Sequence, residues 1–567
     1  MKGKHTTPYY KFSLLLIKLA VCYYVFLPYA QAAQPLRAPQ GSQLLPQNPR
    51  ELVPTFPSNT QLQVEQPKSA ENISTATLYV SKIKIFGNTV FDPYTLHALV
   101  ADGEKKTQNL NQLNKLAARI SHYYQQHGYP FSRAYIPAQT IKNGVVQFNI
   151  LEARSSAIQI KNSSRLSPYK ANQFLSPLHI NNIIQTSKLN RSLLLLNDLS
   201  GIVTRSTIGP GKTVGSSDLE VLIEPGNSIN GFVGIDNYGS PYTGRTRYSG
   251  SLQFNNPTGQ GDQIVIDGLS SGRNLLYGHF GYDFPLYPAF NIGTNYYGMT
   301  YRLQDNLDPL HAEGNLNIAD LWLSYDWVRR VHVNFNSILR YVYKNMHDNL
   351  KAVDIYKMRH SNSFKLENTA EFRDPYGTTN VYMALTQGIL TFNNAFDGGG
   401  IDSISARTAG SFTKANLHLS RLQQFTENTS LYVGGDVQLA SKNLDSSEQL
   451  VLGGPFIVRS YDVGTISGAQ GYTATAELRH ILNMPTIPGT WRPLIFIDAG
   501  RIQINKDQFI NDSNLFNLYS TGVGLDVSWK DWNLSGRFAH RIGAPPPPNI
   551  VSLIDDNQVW VQFGKNF

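Results

Sequence analysis

At 567 residues the chain exceeds one ordinary domain and is expected to hold roughly two to four. It contains 31 Tyr, 27 Phe and 45 Gly, only 16% charged residues and a net charge of +9. No interior apolar run reaches the ~18 residues of a membrane helix, and no Lys/Arg-rich run marks a nucleic-acid binder, so the composition fits an outer-membrane barrel or a secreted β-rich protein.

The N-terminus reads as a secretory signal over residues 1–32. Lys2, Lys4 and Lys11 form a basic start, residues 12–27 are apolar apart from Lys18, and Ala30-Gln31-Ala32 supplies small residues for cleavage. Cys22 is the only cysteine, lies inside this segment, and follows Val21 rather than the small residue that lipidation needs. The mature chain is therefore expected to have no disulfide, thiolate metal ligand or cysteine nucleophile. Residues 33–76 are rich in Pro, Gln, Asn and Ser and read as an arm or linker.

Two small α/β units are expected next, over 77–154 and 155–227. In the first, residues 79–86 read as a strand ending at Gly87-Asn88, and 93–100 as a short helix. Leu110, Leu113, Leu116, Ala117, Ile120 and Tyr124 follow helical spacing up to Gly128. Strands over 132–141 and 145–153 complete the unit. The second has a start at 157–161, a leucine-rich helix over 189–199, and strands over 204–208 and 219–223.

From about residue 230 to Phe567 no amphipathic helix is expected. Strand-like segments of about 9 to 14 residues alternate with Gly, Asn, Asp and Pro turns, and sixteen strands would each take roughly 21 residues with their turn. The fold class is thus a membrane all-β, 16-stranded outer-membrane barrel over 228–567, preceded by the two α/β domains. In the last segment Val559, Val561, Phe563 and Phe567 share one face, while Gln562, Gly564 and Asn566 share the other.

Within the barrel, residues 441–468 are glycine-rich and turn-like, and are expected to fold into the lumen. Thr473, Thr475, Glu477 and Arg479 alternate with Tyr472, Ala474, Ala476 and Leu478; Phe496, Asp498 and Gly500 alternate with Ile495, Ile497 and Ala499. The polar sets should face inward. Arg459 could then reach Asp498 or Glu477, a directional contact worth roughly 1–3 kcal/mol. Spacing alone leaves open a solvated loop arginine and an unrelated aspartate.

Several strings, in order, resemble the two-partner secretion transporters (TpsB type) of the haemolysin-activation and filamentous-haemagglutinin-export family. The loop string is Val458-Arg459-Ser460-Tyr461 and the strand string runs from Phe496 through Asp498 to Gly500. Gly128-Tyr129 with Tyr135-Ile136-Pro137-Ala138-Gln139, and Pro210-Gly211 through Ser217-Asp218-Leu219, fit the two periplasmic POTRA modules. Asp236-Asn237-Tyr238-Gly239, Thr243-Gly244 and Asn256-Pro257-Thr258-Gly259-Gln260-Gly261-Asp262 fit the barrel start.

The resemblance implies a pore in the outer membrane, its POTRA modules in the periplasm, that exports one large exoprotein with an N-terminal secretion domain. Loop lock or gating residues would be Val458, Arg459, Ser460, Tyr461, Glu477, Phe496, Asp498 and Gly500. The candidate client groove is formed by Leu113, Leu116, Ile120, Tyr124, Tyr135, Pro137 and Gln139. Phe563 and Phe567 would be the signal read by the barrel-assembly machinery. Outer-membrane lipid is a further partner, a monomer is expected, and no nucleic acid, cofactor, metal or ATP is called for. Two departures stand out. Ser460 replaces the family's glycine and would be strained if that position needs φ > 0. The family's plug helix would have to be short here, because Pro35, Pro39, Pro46, Pro49, Pro54 and Pro57 interrupt the arm.

Rival readings are a BamA-type assembly factor, a passive porin, and an enzyme using Ser270 in Gly268-Leu269-Ser270-Ser271-Gly272. The last lacks the strand-turn-helix elbow that such a serine needs. Gly209-Pro210-Gly211-Lys212-Thr213 imitates part of a P-loop without its first glycine or following helix. The histidines show no metal-ligand spacing.

Overall fold

The computed structural model describes residues 39–46, 63–64, 76–178, 181–211, 216–393, 398–482, 484–544 and 555–567. The signal-sequence reading falls outside them, as do residues 212–215 of the second module's motif.

In the first α/β unit, Lys82–Phe86 runs parallel to Val145–Leu151, which pairs antiparallel with Arg133–Tyr135. Thr77–Val80 pairs separately with Lys106–Asn109, so the single strand expected over 79–86 is broken in two. The helix Leu110–Gln126 starts where Asn109 accepts from the Gln112 amide while the Gln112 side chain accepts from the Asn109 amide. It ends before Gly128, at φ +87°. Its apolar stripe packs with Leu96, Val146 and Phe148.

The strand expected over 132–141 is only Arg133–Tyr135. Pro137 has no N–H to donate, and Gln139 does the rest: its amide reaches the Gln147 carbonyl at 2.8 Å and its carbonyl receives the Gln147 N–H at 2.8 Å. A side chain thus takes the place of strand backbone.

The second unit orders its sheet as Arg154–Asn162, Ser216–Pro225, Ile202–Pro210, with Gln63–Val64 of the arm added parallel to the last. Helices Pro168–Leu175 and Thr186–Asn197 cover it. The first of these was not expected, although Ser167 as cap followed by Pro168 signals it.

Sixteen antiparallel strands then close into a barrel, the first (Ile229–Asp236) pairing with the last (Asn557–Asn566). Strands run from 8 residues at the start to 20 in Ile355–Asp374, longer than expected. The long ones carry polar residues such as Asn345 and Asn362, so they continue as sheet past a hydrocarbon layer. Eighteen residue pairs join Val333–Leu350 to Ile355–Asp374, but only five join first strand to last. That seam is the shortest ladder of the barrel.

Along Thr490–Gln503 the alternation decides which way side chains point. Ile495 and Ile497 are 56% and 55% exposed, Phe496 and Asp498 4% and 2%. Outward-facing Phe563 stacks on Trp532, and Phe567 lies over Gly231 with backbone hydrogen bonds in both directions.

The second module docks on one end of the barrel. Arg329 grips Asp198 through two bonds of 2.7 and 2.6 Å, and Arg191 and Lys170 reach backbone carbonyls at the ends of barrel strands. The Asn256–Asp262 turn completes the contact: Gly259 accepts from the Ser167 amide and Gly261 from Ser200. Both glycines have φ +79°, and a Cβ on either would meet the module within 3 Å.

Candidate functional site

Residues 441–469 leave the strand Thr429–Ala440 and return into the lumen, where Leu450–Leu452 and Ile466–Gly468 form a small hairpin. The turn between them carries Arg459 to the wall made by the neighbouring strands Gln470–His480 and Thr490–Gln503. Register places Thr475 beside Asp498 and Glu477 beside Phe496.

Arg459 is held on every side. Its Nη2 and Nε reach the two Asp498 oxygens at 2.6 and 3.0 Å, and its backbone N–H also donates to Asp498, at 3.1 Å. Nη1 binds Glu477, which pairs on its other side with Arg479 at 2.6 Å. The guanidinium lies 3.6 Å over the Phe496 ring. Thr475 and Ser520 hydroxyls donate to Asp498 at 2.7 and 2.9 Å. Two cations meet two carboxylates, all under 10% exposed, so the cluster is neutral and saturated, which is what makes charges tolerable in such a place.

Each remaining string residue has a part in seating the tip. Tyr461 and Val458 are buried, and Gly500 is small because a Cβ there would lie 2.9 Å from Val458 and 3.0 Å from Leu452. The condition for strain at Ser460 is not met. Val458 takes the left-handed conformation at φ 51°, and Ser460 does not. Ser460 is fully buried and its hydroxyl has no hydrogen-bond partner.

A second anchor escaped sequence reasoning. At the start of the loop Asp445 takes a 2.7 Å bond from Arg359, whose other nitrogens reach Asp348, Gln40 and Ser446. Glu448 is held by Lys344 and Lys414 at 2.5 and 2.7 Å. The arm joins in. The Gly41–Leu44 turn lies inside the barrel; Gln43 binds Ser467, Ser42 binds Ser446, and Leu44 packs near Tyr301 and Met346. A Cβ on Gly41 would sit 2.8 Å from Tyr301. The described arm thus enters the lumen as a single 3₁₀ turn.

The barrel-start string closes the seam. The Asn237 side chain donates to the Val559 carbonyl at 2.7 Å and accepts from the Val561 N–H at 2.8 Å, so a side chain extends the five-pair ladder. Beside it, Asp462 of the loop binds Arg245 and Gln558.

The client-groove expectation is corrected for the helix. Leu113, Leu116, Ile120 and Tyr124 are at most 5% exposed and form the first module's core. Tyr124 instead donates to buried Glu152 at 2.8 Å, as do the Thr89 hydroxyl and the Thr89 and Val90 amides. Burial raises the Glu152 carboxyl, but these bonds outweigh it and hold it below its ordinary range. Tyr135 is exposed, on the edge strand. Ser270 lies in a strand-to-strand hairpin, its hydroxyl bonded to Gly272. Among the described residues no metal-ligand cluster and no helix able to cross a membrane occurs.

Residues 215–527, more than half of the chain, match the family of haemolysin secretion/activation proteins ShlB/FhaC/HecB. The chain belongs to this family. Residues 78–153 match the ShlB-type POTRA domain. The heme/hemopexin transporter protein HuxB of Haemophilus influenzae (strain 86-028NP) is 28% identical over 479 residues, 82% of each chain. The outer membrane transporter CdiB of Escherichia coli O6:K15:H31 is 24% identical over 509 residues, 88% of this chain and 84% of its own. The solved structure of CdiB from Escherichia coli matches with a TM-score of 0.72 at 20% identity, across 100% of both chains. BamA from Haemophilus ducreyi, lacking its POTRA domains 1–3, shares the fold at a TM-score of 0.50 over 86% of this chain. As a ShlB/FhaC/HecB transporter the protein resides in the outer membrane, with its POTRA modules in the periplasm, and exports a partner protein.

Proposed function

We propose that the chain acts as a monomer, captures one large exoprotein at its POTRA sheet edges and threads it through the lumen when the loop leaves its seat. The observation that carries this reading is the Arg459 cluster: the tip of a loop that lies in the lumen is fixed to the wall through a saturated, neutral ionic site. A site of that kind has two stable conditions, seated or released, because a half-broken buried pair is strongly unfavourable.

Client capture has its own support. The Arg133–Tyr135 strand is an open edge, and the Ile202–Pro210 edge accepts a parallel strand, with Gln63 and Val64 opposite Thr207 and Ile208. An extended client would use the same backbone bonds. Folding of the client outside supplies direction, since it removes the unfolded species from the pore. Adhesins, haemolysins and contact-inhibition toxins are the client classes that fit.

Arg459→Ala tests the reading. With barrel levels equal in the membrane, secretion of the partner is expected to fall at least about tenfold. Unchanged secretion would contradict it.

A further inference from the structure

A groove of about 340 Å³ opens on the outer wall of the barrel, at the end away from the POTRA modules. Its lining includes Arg273, Leu276, Arg302, Glu313, Asn315 and Asn349. These face outward: their strand neighbours Leu275, Tyr301, Leu316 and Met346 pack in the cluster that meets the arm inside. The strands that form the groove carry exposed Phe280, Tyr296, Leu321 and Tyr341 further toward the modules, which is the lipid-facing band.

Three features of the groove point the same way. Its cations outnumber its acids, because Glu313 is shared by Lys351 at 2.5 Å and Arg302 at 3.5 Å, while Arg273 has no carboxylate partner among the described residues. Asn315 and Asn349 are half-buried in its lining and their covered side-chain oxygens receive no hydrogen bond, so each gains a donor if its amide turns toward a bound hydroxyl. Leu276 is 61% exposed and supplies an apolar floor. A ligand suited to this needs phosphate for the arginines, hydroxyls for the two acceptors, and a hydrocarbon part.

We propose that the groove binds the head of a phosphorylated glycolipid of the outer leaflet, Arg273 and Arg302 on its phosphate and Asn315 and Asn349 on its sugar hydroxyls. The bound lipid braces the wall whose inner face receives the arm.

The test uses the full-length transporter in detergent, with bisphosphorylated lipid A, its dephosphorylated form and inorganic phosphate as probes, and native mass spectrometry as the readout. The parent is expected to retain one lipid A. Arg273→Ala/Arg302→Ala, or removal of the lipid's phosphates, should weaken retention about tenfold or more. Thr300→Trp, which fills the groove without changing charge, should do the same and guards against a variant that folds poorly. Inorganic phosphate at millimolar concentration should not displace the lipid. Equal retention by parent and variants, or full displacement by inorganic phosphate, would overturn the proposal.

Discussion

Trp560 and Arg459 are joined: the indole N–H of the barrel's last strand donates to the Arg459 carbonyl at 2.6 Å. The arginine whose side chain is held by Asp498 is therefore held by its backbone from the closing strand. Trp560 is fully buried. Loop seat and barrel seam thus share a residue, and loosening one is expected to loosen the other.

The seam is the first place to see that coupling. Asn237→Ala removes two bonds that lengthen a ladder of only five pairs. A loss of about 1–3 kcal/mol is expected, read as a lower temperature for conversion of the folded barrel to its slower-migrating unfolded form. An unchanged transition would show that the clasp adds nothing.

Ser460 offers a sharper case. Its buried hydroxyl is unpartnered, and its backbone is not left-handed. Ser460→Ala is expected to stabilise the seated loop by up to about 1–2 kcal/mol, while Ser460→Gly should bring no relief of strain. Slower proteolysis of residues 441–469 in the alanine variant would bear this out, and faster proteolysis would oppose it.

Much of this site was legible because strand periodicity is strict. Once Ile495 and Ile497 face lipid, Asp498 must face inward. The same parity puts Trp560 on the inner face with Gln562, but no local pattern ties it to Arg459, 101 residues earlier, and its role was missed. Arg359 was missed for another reason: its partners Asp445, Asp348 and Gln40 are up to 319 residues away, and no local pattern links them. The helix Leu110–Gln126 shows the opposite failure. Its stripe was legible, but a stripe does not say whether it meets a core or a client, and the core took it. At Val458 the turn chose a β-branched residue for the left-handed position, against local propensity, because its side chain fills the space beside Gly500.

Glu152 makes the first module sensitive to acid. Its carboxyl is held below its ordinary range in the folded chain, so its contribution is present above the unfolded value of about 4.3 and is lost as pH falls through the lower folded value. Hydrogen-exchange protection of residues 82–151 is expected to drop on acidification in the parent. Glu152→Gln should lower protection at neutral pH by about 2 kcal/mol and show a smaller drop with acid. Identical pH profiles would argue against the assignment.

For the client to pass, the loop must leave its seat, and a covalent lock would hold it there. Val458 Cγ2 lies 2.9 Å from where a Gly500 Cβ would be, within reach of a disulfide. Val458→Cys/Gly500→Cys, made with Cys22→Ser so that no other thiol competes, should secrete no partner while oxidised and recover when reductant is added. Normal secretion with the bridge formed would show that the client passes a seated loop.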